Sequence, residues 1–101
     1  MTYAVVWREN GDRLGAGRLE LGGRSLVLEG STPTEREARC VVPYCELTRV
    51  RVERLPEPGR ESRRSLVLDC RDGSRVEVTP VGGAGVLHEL ADRLGAARRA
   101  A

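Results

Sequence analysis

Apolar and polar residues alternate with a period of two through most of the first eighty positions, the spacing of half-buried strands. Tyr3, Val5 and Trp7 alternate with Ala4, Val6 and Arg8 in a first strand. Asn10-Gly11-Asp12 signals a turn, which Gly15-Ala16-Gly17 prolongs. Leu19 and Leu21 alternate with Arg18 and Glu20 in a second strand, and Gly22-Gly23 reads as a hairpin turn. The third strand is Ser25 to Glu29, where the run Leu26-Val27-Leu28 implies cover on both faces. Gly30 to Glu37 is a polar loop. Arg39 to Val42 is a fourth strand, which Pro43 confines to an end or an edge. From Thr48 to Arg54, Thr48, Val50 and Val52 face one way, and Arg49, Arg51 and Glu53 face water. Leu55 to Arg64, with Pro56, Pro58 and Gly59, is the longest irregular stretch. Ser65 to Cys70 and Arg75 to Thr79, joined by Asp72-Gly73, are strands six and seven.

The period then changes. Beyond the Gly82-Gly83-Ala84-Gly85 connector, Leu87, Leu90, Ala91 and Leu94 make one apolar stripe on a helix at about residues 84–98. Glu89 and Arg93 form an i,i+4 pair beside it. A lone amphipathic helix must cover something, so it is expected to close one side of the sheet structure. The segments Arg24 to Glu29 and Arg64 to Asp69 echo each other, but their flanks do not match, which reads as convergent strand sequence rather than duplication.

Length and charge narrow the function classes. At 101 residues the chain is one domain, too short for a two-domain dehydrogenase, a kinase or a barrel enzyme. All 17 basic residues are Arg, and Lys, Phe, Ile and Gln are absent. That bias is the mark of a high-GC, bacterial genome rather than of nucleic-acid binding. The 15 acidic residues leave a net charge of only +2, interleaved as in Arg49-Val50-Arg51-Val52-Glu53-Arg54, where nucleic-acid domains cluster their charge. Nucleic acid is therefore not an expected partner. The N-terminal stretch Met1 to Trp7 is too short and too soon charged for a signal peptide, so a cytoplasmic domain is expected. Cys40, Cys45 and Cys70 are an odd set that reads as reduced thiols. Cys40 and Cys45, with Pro43 between them, are no zinc knuckle, and no second close pair exists. No metal and no cofactor are expected.

Seven short strands followed by one helix resemble the pleckstrin-homology (PH) superfold, including its GRAM-like and small bacterial members. The segments that carry the resemblance are Gly17 to Leu21, Ser25 to Gly30, Val42 to Val50, Asp72 to Val78 and Leu87 to Leu94. It covers nearly the whole chain, 1–101. It implies a mainly β fold, a seven-stranded barrel or sandwich of two antiparallel sheets with the helix plugging an open end. It also implies, where such domains bind phosphoinositide, a site at the end bearing the loops between strands one and two, three and four, and six and seven. Arg13, Arg18 and Arg36 are the candidate anion-binding residues there. The paired basic signature of the first hairpin is missing, and Glu9, Asp12, Glu35, Glu37 and Asp72 oppose phosphate.

Three residues are candidates for partner binding. Trp7 shares a face with Tyr3 and Val5, which gives it a core role; exposed on an edge strand, it is a hot spot. Tyr44 and His88 are the others, His88 read as a surface group paired with Asp92. The cluster Arg60, Arg63 and Arg64 reads as a mobile solvated loop. No nucleophile or acid–base set converges, so no catalytic residue is expected. The expected function is a non-enzymatic PH-like module that binds a protein partner or itself. Strand addition at a sheet edge or a groove beside the helix are the modes. The alternative is a peripheral membrane-surface module recognising anionic lipid through the Arg-bearing loops.

Overall fold

The first strand is hydrogen-bonded on both sides, and the architecture follows from that. In the computed structural model the elements are β1 (Thr2–Glu9), β2 (Arg13–Leu21), β3 (Ser25–Ser31), β4 (Ala38–Pro43), a 3-10 turn (Tyr44–Glu46), β5 (Leu47–Glu57), β6 (Arg60–Cys70), β7 (Arg75–Pro80) and α1 (Ala84–Ala100). The structure describes residues 2–11, 13–57, 60–82 and 84–101; the side chains at 13, 55–57, 60–62 and 84 stand outside that description. The strands form one antiparallel sheet in the order β4-β3-β2-β1-β7-β6-β5. Val5 faces Gly17 of β2 on one side and Pro80 of β7 on the other. The two strand groups expected as separate sheets are thus joined through β1 into a curled half-barrel, mainly β with one C-terminal helix.

Alternation decides which face is filled. Tyr3, Val5 and Trp7, Leu26 and Leu28, Leu66 and Leu68, and Val76 and Val78 point inward and are buried. Leu87, Leu90 and Leu94 of α1 pack onto the same core, so the helix covers the concave face as its stripe requires. At the helix C-terminus Arg98 donates to the Leu47 carbonyl oxygen at 3.3 Å, fastening the last turns to the start of β5.

Three expectations give way. Gly15-Ala16-Gly17 is not loop but part of β2. Gly15 lies opposite Trp7 and Gly17 opposite Gly30. A Cβ at Gly15 would overlap the Trp7 ring, and one at Gly17 the Glu29 carbonyl oxygen. These are strand glycines that permit close approach. The stretch Leu55 to Arg64 is not irregular either: β5 and β6 run through it to the pair Glu57↔Arg60, and Pro58 and Gly59 fall outside the described residues. Pro56 is tolerated because β5 is an edge strand. Val27 is only half-buried, opposite exposed Val41. The strand covered on both faces is β6, where Val67 is fully buried beside Arg51 and Glu77. Arg51 lies there 3.4 Å from Asp69 and 3.1 Å from Glu53. Its Nε is off the hydrogen-bonding direction toward Glu53, so that contact is electrostatic only.

Because Leu90 sits wholly inside the core, Leu90→Ala is expected to lower unfolding free energy by about 2–5 kcal/mol. Val81→Ala, at an exposed site, is expected to stay within about 0.5 kcal/mol. Urea titration of both variants checks the contrast.

Candidate functional site

The half-barrel leaves two strand edges, and they differ in chemistry. On β5 the sequence Arg49-Val50-Arg51-Val52-Glu53-Arg54 is charged at alternate positions, and the pairing to β6 is broken by a bulge between Leu47 and Arg49. Charge, bulges and proline are the usual guards of an edge. The other edge, β4, reads Ala38-Arg39-Cys40-Val41-Val42-Pro43, with a single charge. It pairs with β3 from Gly30↔Ala38 to Ser25↔Pro43. Among the described residues its backbone makes no hydrogen bond on the far side.

A cavity of about 500 Å³ runs along that free edge. Cys40, Val41, Val42 and Pro43 all border it. Successive strand residues point to opposite faces, so a cavity touching four in a row lies against the strand's edge, not beneath one face. The opposite wall is the β6–β7 turn with its flanks, Cys70, Asp72, Ser74, Arg75 and Val76; Glu9, Asn10 and Glu46 complete it. The groove is thus the open seam of the half-barrel.

Its walls are fixed by local sequence. Asp72 accepts from the Ser74 backbone N–H at 2.8 Å and from its hydroxyl at 2.6 Å, which holds the carboxyl below its ordinary range. Asn10, at φ 51°, accepts from the Arg75 N–H at 2.9 Å and donates its own N–H to the Arg75 carbonyl at 2.8 Å, clamping the two turns together. Arg75 is held by Asp69 at 2.9 Å. The Cys40 thiol is pushed up to about 12, first by burial and then by hydrogen bonding to, and the negative charge of, Glu9.

The expected site residues do not assemble here. Trp7 is 2% exposed and Tyr44 5%, so neither offers a surface to a partner. Trp7 spans β2 and β7 through Gly15 and Val78. Tyr44 donates its hydroxyl to the Gly22 carbonyl at 2.7 Å, latching the 3-10 turn to the β2–β3 turn, and burial raises its phenol. His88 is exposed on α1. Among the described residues it has no ion-pair partner; the pair on the helix is Glu89–Arg93 at 3.3 Å. The side chain of Arg13 lies outside the description. Arg18 is not in a loop but mid-strand on the outer face, 3.0 Å from Glu29, which also meets Arg39 at 3.5 Å. Arg36 is exposed in the 32–37 loop. Arg63 and Arg64 belong to β6, not to a loop, with Arg64 opposite Arg54; the Arg60 side chain is outside the description. No group of three or more metal-ligating side chains gathers among the described residues. No helix there is long and apolar enough to cross a membrane.

Sequence reasoning missed the seam itself. Pro43 marked β4 as an end or edge, but that Glu9, Glu46 and Asp72 border one groove depends on how far the sheet curls. A scan against protein-family models and a search of curated proteins each match nothing to this chain.

The raised Cys40 thiol should react slowly, since the thiolate is the nucleophile. At pH 8, iodoacetamide is expected to label exposed Cys45 at least about a hundredfold faster than Cys40. Glu9→Gln, which removes the negative charge beside Cys40, is expected to narrow the gap. Peptide mass mapping over time reads both rates.

Proposed function

We propose that this chain is a non-enzymatic, pleckstrin-homology-like interaction module that binds a protein partner by accepting an extended segment as an additional strand at β4. The observation that carries the reading is the free, nearly uncharged edge of β4 beside a groove of about 500 Å³. An incoming strand would hydrogen-bond to the β4 backbone and place alternate side chains in the groove, the division of labour found in strand-addition recognition. Each backbone hydrogen bond contributes about 0.5–1.5 kcal/mol net. These bonds, with the side chains placed in the groove, are what offsets the cost of ordering the segment. Three free thiols suit a reducing, cytoplasmic setting.

The anionic-lipid alternative draws less support. Arg18 is engaged with Glu29 on the outer face.

Selection of displayed extended peptides against the whole chain tests the reading. Bound peptides are expected to shift the backbone amides of residues 38–43 in NMR spectra. Val41→Lys, at a position 48% exposed, is expected to change stability by no more than about 0.5 kcal/mol and to weaken those peptides at least about tenfold by guarding the edge. Shifts confined to other elements would overturn strand addition at β4. Salt-sensitive co-sedimentation with anionic vesicles, with no selected peptide, would favour the lipid alternative.

A further inference from the structure

The chemistry of the groove says what the added segment carries. Resting on strand addition at β4, we propose that the partner segment bears a lysine or arginine at a groove-facing position, and that its cationic head is held by the acidic wall of Glu9, Glu46 and Asp72.

Charge complementarity carries the argument. Those three carboxylates border the groove in a chain whose overall charge is +2, so the negative sign is local. The guanidinium on the same wall, Arg75, is paired with Asp69 at 2.9 Å rather than with these carboxylates. Asp72 is fixed by Ser74 and stays ionised. Glu9 and Glu46 make no ion pair among the described residues. Within the groove the Glu9 charge bears on Cys40, whose thiol is raised first by burial and then by Glu9.

Geometry adds a second constraint. A strand laid against β4 sends alternate side chains to the concave side. The carboxylates border the groove from three elements: Glu9 at the end of β1, beside Cys40, Glu46 in the 3-10 turn that follows β4, and Asp72 in the β6–β7 turn. A long, flexible cationic side chain reaches into the groove while its methylenes pass Val42 and Val76, as lysine and arginine stems do on apolar surface. A short or acidic side chain either fails to reach or is repelled.

Randomised eight-residue peptides displayed against the full chain test this directly. Those that shift the amides of 38–43 are expected to share one basic residue at a fixed position. Replacing it with glutamine in the synthetic peptide should weaken binding about tenfold, and so should Glu9→Gln combined with Glu46→Gln in the protein. In that double variant the glutamine peptide should lose little more, the signature of a direct pairing. Matching amide spectra of the free variant and free wild type check that its fold is intact. Should a displaced fold spoil that match, the single variants, at residues outside the core, give the same comparison. Peptides that bind along β4 with no basic preference, or whose basic residue responds equally to both proteins, would overturn this inference and leave strand addition standing. If no selected peptide touches 38–43, strand addition itself fails.

Discussion

The structure hangs on β1. It is the one strand from which the sheet turns in both directions, hydrogen-bonded to β2 over its whole length and to β7 over Val5 to Glu9. A strand so placed must present a continuous inner row, and Tyr3, Val5 and Trp7 supply it. Trp7 is the largest of the fully buried side chains. It finds room because its neighbour across the ladder is Gly15. The indole would meet any Cβ there. The facing glycines Gly17 and Gly30 do the same for the backbones of β2 and β3. The curl of the sheet brings β4 around toward the β6–β7 turn without closing on it.

That incomplete closure creates both the groove and the difference between edges. A closed barrel has no edges, and an open one must guard them. Here β5 is guarded by alternating charge, a bulge and the Arg98 contact to its first carbonyl. By contrast, β4 is left with an exposed valine and one arginine. The Tyr44 latch holds the connection between the two edges against the β2–β3 turn. The seam is therefore held open by fixed turns at both ends: Asn10 clasped to Arg75 on one side, the 3-10 turn on the other.

The arginines do something different from what their number suggests. On the outer face Arg18, Glu29 and Arg39 alternate across three strands, and Arg51, Asp69 and Arg75 do so across the other three. Exposed pairs of this kind contribute about 0–1 kcal/mol each. Their effect on the fold is local. Arg51 spreads its stem beside Val67, so a valine on the outer face is fully buried although no helix or second sheet covers it. Arginine is suited to that task because its aliphatic stem packs while its head stays paired.

Much of the fold was legible in the residues. The period-two pattern located seven strands, and the Leu87-Leu90-Leu94 stripe located the helix, because each element buries one face and repetition betrays it. Pro43 marked an edge because proline cannot serve a central ladder. Where reading by pattern failed, the reason was spatial. Glycines at 15 and 17 look like loop when the groups that need them, the Trp7 ring and the Glu29 carbonyl, lie on the neighbouring strands. Arg63 and Arg64 look like loop when hairpin pairing with β5 makes them strand. Trp7, Tyr44 and His88 could be singled out by type, but whether each is buried or exposed depends on which neighbours the curl brings in. The identity of elements came from local periodicity, which the sequence carries by itself. The groove, its acidic wall and the unguarded edge arose from the sheet's curvature, which sums small contributions from every strand pair and is written at no single position.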